Sequence, residues 1–291
     1  MPPTDRPRRS RRSRTDADLR SWFALNGRDL AIRRARSPWL VLVAEVMSQQ
    51  TQVRRIGPAW LSFTGRWPTP EALAEASTGD LLDAWAGLGY NGRALRLRDA
   101  ARVICARQGG TVPPAIDELE GLPGVGPYTA RAIAAHAFGI RVAPLDVNVR
   151  RVLSRLAGTD VATLDLQEFG DRLVWPDDPA AWANAMMDLA VLVCTQRQPA
   201  CEACPLAGDC RSRGLVTDAV PNPRSTPAFA TTNRWLRGEL LRRLRAVPRG
   251  EWAAVDGPVG VHAADDVDRA LRHLEGEGFL ERAGASVRIP Q

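Results

Sequence analysis

Apolar residues recur at helical spacing along the first 210 positions, with no strand-like alternation of apolar and polar residues. Clusters of proline and glycine separate the apolar segments, as at 67–70 and in the turn over 87–92. This part of the chain is therefore predicted to be all-α. Helices are predicted over residues 15–35, 39–53, 54–67, 69–75, 78–85, 93–108, 146–157 and 180–193, with a hairpin followed by a helix over 122–138.

The pattern changes after residue 211. Residues 216–230 contain three prolines and little periodicity, which is typical of a linker. Helices are predicted over 233–246 and 265–276, and a terminal hairpin with a glycine turn over 279–289. This order predicts a small α+β module resembling a winged helix. The predicted division is a disordered basic arm (1–14), a core (15–212), a linker (213–230) and the winged-helix-like module (231–291).

The composition indicates a soluble globular protein. The chain has 291 residues, of which 45% are hydrophobic and 25% charged. A single hydrophobic core stops growing near this length, so more than one domain is expected. No stretch approaches the roughly 18 unbroken apolar residues that a membrane helix needs, so no membrane association is predicted.

Positive charge is concentrated at the start of the chain. Residues 1–14 hold six arginines against one acid, so this arm supplies five of the six net positive charges. Such an arm can bind a phosphate backbone without sequence preference, and the same composition also fits a solvated tail. The paired arginines are not followed by an apolar stretch, which argues against an export signal and favours a bacterial cytoplasmic location.

Four cysteines lie close together with the spacing C-x6-C-x2-C-x5-C: Cys194, Cys201, Cys204 and Cys210. Two disulfides, a zinc site or an iron–sulfur cluster would each use four thiols. A cytosolic location disfavours disulfides, and structural zinc usually shows two short cysteine pairs. Thiolates along one compact loop favour a cluster over zinc. The fifth cysteine, Cys105, is predicted to be a small buried hydrophobic residue.

A tight hairpin is predicted at Leu122-Pro123-Gly124-Val125-Gly126, because the two glycines permit a turn that a Cβ would obstruct. Pro127 suits the first turn of the following helix. Backbone amides at the turn and at the helix start would form an anion site for phosphate. A plain turn between two helices fits the same residues.

Two carboxylates are candidates for chemistry. Glu45 interrupts the apolar run 39–47, and burial there would raise its pKa and make it a proton donor near neutrality. Asp146 follows Pro144-Leu145 at a helix start. One proton-donating acid and one ionised acid are the usual means of breaking glycosidic bonds. The alternatives are an exposed helix edge for Glu45 and a simple N-cap for Asp146.

These residues resemble the MutY-type adenine DNA glycosylases, which belong to the helix-hairpin-helix glycosylases. The likeness covers about residues 20–212. It rests on five motifs in the family order: Ala44-Glu45-Val46-Met47-Ser48-Gln49-Gln50-Thr51-Gln52-Val53, Gly87-Leu88-Gly89-Tyr90, Leu122-Pro123-Gly124-Val125-Gly126, Asp146-Val147-Asn148-Val149-Arg150-Arg151-Val152-Leu153, and Ala185-Met186-Met187-Asp188-Leu189 before the cysteines.

The resemblance implies a two-lobed all-α helix-hairpin-helix DNA glycosylase fold with the active site between the lobes. One lobe would be a six-helix barrel over about 39–145, and the other, comprising 15–38 and 146–212, would carry a 4Fe-4S cluster on the four cysteines. The implied partner is double-stranded DNA with a mispair, bound by a monomer.

The resemblance also implies residue roles. Glu45 would protonate adenine, Asp146 would stabilise the oxocarbenium-like sugar, and Tyr128 and Asn148 would support them. The residues that would contact DNA are the wedge residues Gln50 and Tyr90, their neighbours Gln49 and Thr51, and the hairpin residues Leu122, Gly124, Val125 and Gly126. Inserting side chains are expected because chemistry on a base requires its extrusion from the duplex.

The chain contains no lysine. The endonuclease III branch resembles this chain less, because it has a catalytic lysine where Tyr128 lies and uses it to form a Schiff base and cut the strand. A monofunctional glycosylase acting on adenine opposite 8-oxoguanine or guanine is therefore predicted. Residues 231–291 are too short for the Nudix-like domain of many relatives.

Three alternatives remain at this point. A thymine or uracil mismatch glycosylase would share the fold, although pyrimidine release has less use for an acid at Glu45. A non-catalytic iron–sulfur DNA-binding or regulatory protein would suit the winged-helix-like tail and the basic arm. A zinc-dependent DNA-binding protein is the third.

Overall fold

The computed structural model describes residues 11–158, 165–215 and 227–290. Within them the predicted all-α core and the small α+β C-terminal module are confirmed. The α-helices are α1 (Arg11–Asn26), α2 (Pro38–Ser48), α3 (Val53–Arg66), α4 (Pro70–Ala74), α5 (Thr78–Ala84), α6 (Gly92–Gln108), α7 (Ile116–Glu120), α8 (Pro127–Phe138), α9 (Val147–Ala157), α10 (Leu166–Leu173), α11 (Pro179–Leu192), α12 (Asn233–Leu244) and α13 (Ala264–Gly276).

The first predicted helix, 15–35, is shorter than expected at one end and longer at the other. It ends at Asn26 because Gly27 closes it: the Gly27 N–H donates to the Phe23 carbonyl at 2.8 Å. A Cβ at Gly27 would lie 2.7 Å from that oxygen. Residues 11–14 of the predicted disordered arm belong to α1, since arginine favours helix and continues it backwards. Residues 1–10 lie outside the described part.

The predicted helix over 39–53 is confirmed as far as Ser48 and is wrong beyond it. The α2 helix ends at Ser48, and α3 begins only at Val53. The break falls at Gln50, whose φ of 53° lies in the left-handed region. The α10 helix was not predicted, although Asp165 caps its start by accepting the N–H groups of Gln167 and Glu168. Most of the predicted linker, residues 216–226, lies outside the described part.

The first compact unit comprises the described residues of Met1–Glu45, Pro114–Gly121 and Val125–Pro221. Its core is built by α1, α9 and α11, around the buried side chains of Leu153, Trp182 and Leu189. A fully buried carboxylate, Asp188 on α11, pairs with arginines of the segment after α1. Because this segment leads into α2, the buried ion pairs position the first turns of α2 within the unit. The arginines are Arg28, with Nε at 2.7 Å, and Arg33, with Nη2 at 2.7 Å.

The second compact unit comprises the described residues of Val46–Pro113, Leu122–Gly124 and Asn222–Gln291. Its C-terminal module packs α12 against α13 and carries a sheet in the order β1-β3-β2: β1 (Ala253–Ala254), β2 (Glu281–Ala283) and β3 (Ser286–Arg288), all antiparallel. The β1 strand was not predicted. Ion pairs from Arg245 and Arg249 to Asp83, at 3.0 and 2.9 Å, join this module to α5.

The two units differ from the two predicted lobes. Residues 39–45, 114–121 and 125–145 were predicted in the barrel lobe but belong to the first unit, with most of the predicted cluster lobe. The predicted domain division stays a prediction. In the described ranges, no helix is both long and apolar enough to cross a membrane.

Candidate active site

The predicted hairpin joins α7 to α8. Gly124 has a φ of 82°, and a Cβ there would lie 3.1 Å from the Arg96 Cβ, so this position favours glycine on both counts. Gly126 caps α8, which begins at a proline. The side chains of Leu122 and Val125 are 4% and 7% exposed. Any contact of these two residues with a phosphate would therefore use backbone amides.

Glu45 lies on α2 between Ala44 and Val46, both of which are buried. Burial raises the pKa of Glu45 to about 7, although the side chain keeps partial access to solvent. The cause is desolvation: when water is removed, a charged carboxylate loses more hydration free energy than a neutral carboxylic acid does, so the protonated form is favoured. Near neutral pH the group is divided between acid and anion, so it can donate a proton.

Asp146 caps α9, as the N-cap alternative predicted. Its Oδ1 accepts the backbone N–H groups of Asn148 at 2.9 Å and Val149 at 2.7 Å, and its Oδ2 accepts the Asn148 side-chain amide at 2.7 Å. The positive end of the α9 dipole favours negative charge at this position. Capping therefore holds this carboxylate in place and leaves it partly exposed.

Tyr128, in the first turn of α8, lies within electrostatic reach of both carboxylates. Burial raises the pKa of Tyr128 well above its usual value, and the charges of Glu45 and Asp146 raise it further. The phenol consequently stays protonated and can donate a hydrogen bond. With Asn148 bonded to Asp146, the four side chains predicted to be catalytic form one group in the first unit. A proton donor and an anion that both act on the same phenol suit the cleavage of a glycosidic bond.

Arg151 connects this group to the cysteine loop. Its Nη1 donates to Asn148 Oδ1 at 3.0 Å, its Nε to the Cys194 carbonyl at 3.0 Å, and its Nη2 to the Ala190 carbonyl at 2.7 Å. Asn148 thereby turns its amide toward Asp146. This positioning residue was not predicted. The spacing of three residues on one helix face signals the contact with Asn148, but the contact with Cys194 lies 43 positions away.

The four clustered cysteines converge. They line one apolar pocket together with residues that include Val152, Leu156 and Leu206, and all five cysteines of the chain are free of disulfides. Burial, together with the charges of the three other thiols, raises the pKa of Cys204 to about 11. Among the described residues, no set of three or more His, Cys, Asp or Glu side chains is arranged to hold one metal ion. Four thiols around one apolar pocket fit a multi-iron cluster.

Arg155 contacts the same loop. Its Nη1 lies 3.3 Å from Cys194 Sγ and 2.6 Å from the Thr195 carbonyl, and its Nη2 donates to the Gln196 carbonyl at 2.8 Å. A cation beside the sulfur stabilises thiolate ligands. No feature of the sequence singled out this residue, because its contacts span about 40 positions.

The four predicted wedge-loop residues belong to the second unit. Gln50 and Tyr90 are exposed, and they are the two non-glycine residues of the described chain with positive φ, at 53° and 48°. Gln49 donates its side-chain amide to the Gly124 carbonyl at 3.1 Å, and the Thr51 hydroxyl faces the Leu88 carbonyl at 3.5 Å. Gln50 and Tyr90 are thus both exposed at the two turns. Gln49 links the first turn to the hairpin residue Gly124, and Thr51 links it to Leu88 in the second turn.

Arg93, near the start of α6, forms hydrogen bonds with both the turn between α2 and α3 and the turn before α6. Its guanidinium donates to the carbonyls of Met47 at 2.8 Å, Gln49 at 2.6 Å and Gly89 at 2.8 Å, and to the Thr51 hydroxyl at 2.9 Å. Only 5% of the residue is exposed, and burial lowers its pKa to about 10. These hydrogen bonds end α2 and shape the turn before α3. They explain why α2 ends at Ser48, five residues before the end of the predicted helix.

Replacing this arginine tests that explanation. Arg93→Met is expected to lower the free energy of unfolding by about 2–4 kcal/mol, because several buried carbonyls lose their donor. The measurement is urea unfolding, compared with Arg107→Met, which removes an exposed arginine from the same helix. Equal losses in the two variants would contradict a structural role specific to Arg93.

Comparison with known proteins identifies the class of protein. Residues 43–168 match the family described as HhH-GPD superfamily base excision DNA repair protein. Among solved structures, a thermostable thymine-DNA glycosylase is 27% identical with a TM-score of 0.65, covering 69% of this chain and 95% of its own. Endonuclease III trapped as a covalent intermediate with DNA is 25% identical with a TM-score of 0.59, covering 69% and 93%. The fold and site define a helix-hairpin-helix DNA glycosylase.

Similar curated proteins indicate which family of DNA glycosylases the chain belongs to. The chain is 40% identical to the adenine DNA glycosylase of Mycolicibacterium smegmatis, over 91% of this chain and 92% of the relative. It is 39% identical to the adenine DNA glycosylase of Homo sapiens, over 68% of this chain and 39% of that longer protein. The chain belongs to the MutY-type adenine DNA glycosylase family.

Proposed function

We propose that this chain is a monofunctional glycosylase that hydrolyses the N-glycosidic bond of adenine mispaired with 8-oxoguanine or guanine in duplex DNA, during base excision repair. The observation that carries the proposal is the pair of carboxylates, a buried Glu45 with a pKa of about 7 and an Asp146 fixed at the start of α9, whose charges both raise the pKa of Tyr128. Its family relatives bear the name adenine DNA glycosylase.

In the proposed reaction, Glu45 donates its proton to a ring nitrogen of the extruded adenine. The bond from the base nitrogen to the sugar C1′ then breaks, and its electron pair leaves with a base that is now neutral. Water adds to C1′ and releases one proton, which restores the acid. A pKa of about 7 supports this role, since an acid that donates at neutral pH must still hold its proton.

Asp146 is proposed to stabilise the positive charge that develops on the sugar. Its fixed position at the start of α9 supports electrostatic stabilisation, because a preorganised group needs no rearrangement during the reaction. Asn148 would hold the carboxylate, and the protonated Tyr128 phenol would donate a hydrogen bond beside it. Gln50 and Tyr90 would fill the space left by the extruded nucleotide.

Strand cleavage by a Schiff base is not expected. The chain has no lysine, and a tyrosine occupies the position at which the endonuclease III branch has its catalytic amine. Water would therefore be the nucleophile, and an abasic site would be the product.

Cys194, Cys201, Cys204 and Cys210 are proposed to hold a 4Fe-4S cluster. When bound, it would cross-link the loop through four iron–sulfur bonds. Arg151 would transmit the order of that loop to Asn148, because its Nε bonds the Cys194 carbonyl.

A cysteine substitution tests the cluster. Cys204→Ala is expected to lose the brown colour, the absorbance near 400 nm (roughly the thiolate-to-iron band of such clusters) and most of the bound iron. Cys105→Ser is the control, since that thiol lies on α6 outside the loop, and it is expected to keep all three. Zinc in place of iron in freshly purified protein would contradict the assignment and support a zinc site.

The test of the proposed function is a cleavage panel on four duplexes, with A opposite 8-oxoguanine, A opposite G, T opposite G and U opposite G. Adenine release from the first two, with strand breaks only after alkali, is expected. Release of T or U without A would favour the mismatch glycosylase, an activity that the thymine-DNA glycosylase neighbour bears in its name. Tight binding without release would favour a regulatory protein, and breaks without alkali would contradict a monofunctional enzyme.

The proposed enzyme acts as a monomer in the bacterial cytoplasm, associated with the nucleoid. Its proposed partner is double-stranded DNA containing a mispair. Sedimentation with and without a mispaired duplex would test the stoichiometry of one chain per duplex.

A further inference from the structure

An arginine of the C-terminal module lies directly over the turn that presents Tyr90. The guanidinium carbon of Arg234, on α12, is 3.9 Å from the centroid of the Tyr90 ring, and Nη1 donates to the phenol oxygen at 2.7 Å. A Cβ at Gly89 would be 3.7 Å from Nη2. The exposed ring of Phe229 lies on the same guanidinium, 5.6 Å from centroid to carbon. Arg234, Tyr90 and Phe229 thus form one exposed cluster, named here the Arg234 cluster.

The charge of Arg234 is not neutralised by any described acid. In the described residues of the C-terminal module, every other arginine has a carboxylate within ion-pair distance. These pairs are Arg237–Glu277, Arg242–Glu239, Arg243–Glu239, Arg245–Asp83, Arg249–Asp80, Arg269–Asp266, Arg272–Asp268, Arg282–Asp268 and Arg288–Glu281. An unpaired guanidinium among exposed aromatic rings is the composition of a nucleic-acid contact.

The second helix of the module, α13, carries the opposite charge. The α13 helix lies just before the terminal hairpin in the chain, and its first turn carries Asp265 and Asp266. Its two arginines, Arg269 and Arg272, are both paired with aspartates of the same helix. A helix with this charge would repel a phosphate backbone. Among the described residues of the module, the Arg234 cluster at the start of α12 therefore carries the positive charge that suits contact with DNA.

We infer that Arg234 is a specificity-determining residue that, together with Tyr90, contacts the base opposite the extruded adenine. This inference rests on the proposed function, in which Tyr90 enters the base stack. Arginine has five N–H donors in a planar fork and no acceptor. Guanine presents two neighbouring acceptors on its major-groove edge, and 8-oxoguanine presents carbonyl oxygens, whereas cytosine presents an amino donor there. The fork therefore favours a guanine-type base over cytosine.

The experiment measures duplex affinity with 2′-fluoro-2′-deoxyadenosine, whose glycosidic bond resists hydrolysis, placed opposite 8-oxoguanine, guanine or cytosine. Arg234→Ala is expected to reduce the preference for the two guanine-type bases over cytosine by about tenfold. Arg234→Lys is expected to lose the same preference, because an ammonium keeps the charge but lacks the planar fork. Arg234 is exposed, so both variants are expected to fold like the wild type.

Arg242→Ala is the matched control, because it removes an arginine from the same helix while Glu239 stays paired with Arg243. It is expected to keep the wild-type preference. Equal weakening of Arg234→Ala on all three duplexes, with the salt slope reduced by about one, would make Arg234 a phosphate contact and overturn the inference. An unchanged preference would also overturn it, even if the wild type releases adenine. Failure of the wild type to release adenine from any duplex would instead refute the proposed function.

Discussion

Glu45→Gln is expected to lower the single-turnover rate of adenine release by roughly 10²–10⁴-fold, the usual contribution of a general acid. Glutamine keeps the size and polarity of the side chain but has no transferable proton at neutral pH. Affinity for the mispaired duplex is expected to change little, because Glu45 makes no hydrogen bond or ion pair with the described residues and burial is the cause of its pKa shift. Loss of binding together with activity would contradict a role confined to proton transfer.

The pH profile of the wild type gives a second measure of the same group. The acid must be protonated to act, and its pKa is about 7. The rate is therefore expected to fall about tenfold for each pH unit above this value. The residual rate of Glu45→Gln is expected to lack this descending limb. A wild-type rate that stays constant from pH 6 to 9 would exclude Glu45 as the proton donor.

Glu45→Gln is also expected to stabilise the folded protein above neutral pH. The pKa of Glu45 is about 7 in the folded state and 4.5 in the unfolded state. Between these pH values the folded state keeps a proton on Glu45 that the unfolded state has released. Stability contributed by this group therefore falls as pH rises from 4.5 to 7. The variant is expected to gain about 3 kcal/mol over the wild type at pH 8, with little difference at pH 4. Urea unfolding at the two pH values measures this gain.

Asp146→Asn is expected to lower the rate by roughly 10²–10³-fold, as removal of a preorganised electrostatic group does. Asparagine is as good an N-cap as aspartate, so the start of α9 is expected to remain intact. The variant therefore removes the negative charge at the sugar and leaves the fold in place. Adenine release within tenfold of the wild type would show that the charge of Asp146 is not needed.

A second capping aspartate provides the control for Asp146. Asp165 caps α10 through Oδ1, which accepts two backbone N–H groups at 2.8 and 3.1 Å, much as Asp146 does. Asp146→Ala and Asp165→Ala are both expected to lose about 1 kcal/mol of stability. Only the first is expected to lose activity. If Asp165→Ala is equally inactive, the defect of Asp146→Ala reflects loss of a cap and not of a catalytic charge.

Local patterns were sufficient for much of this protein. Helical periodicity located most of the helices, and the two glycines located the hairpin, because each depends on a few consecutive residues. Four closely spaced cysteines converge because the loop that carries them is short. The chain order of the motifs was enough to identify the family.

The features of the structure that the sequence did not predict have a common cause. Helix α2 stops early because Arg93 takes the Met47 carbonyl from 46 positions away. Arg151, which positions Asn148, is itself bound to the Cys194 carbonyl, 43 positions away in the sequence. Arg234 donates a hydrogen bond to Tyr90, which is 144 positions away. The local sequence around an arginine on a helix is the same whether its guanidinium faces water or a buried carbonyl. Its hydrogen-bond partner can therefore be identified only from the tertiary structure.

Sequence alone therefore established the helical class, the candidate acid and anion, the four thiols and the family, because residue type and short spacing carry that information. Folding decided the rest. The pKa of Glu45 depends on how much water its neighbours exclude, the shape of the wedge turns depends on Arg93, and the presentation of Tyr90 depends on Arg234. Each of these is a property of groups brought together from distant positions, for which no local pattern exists.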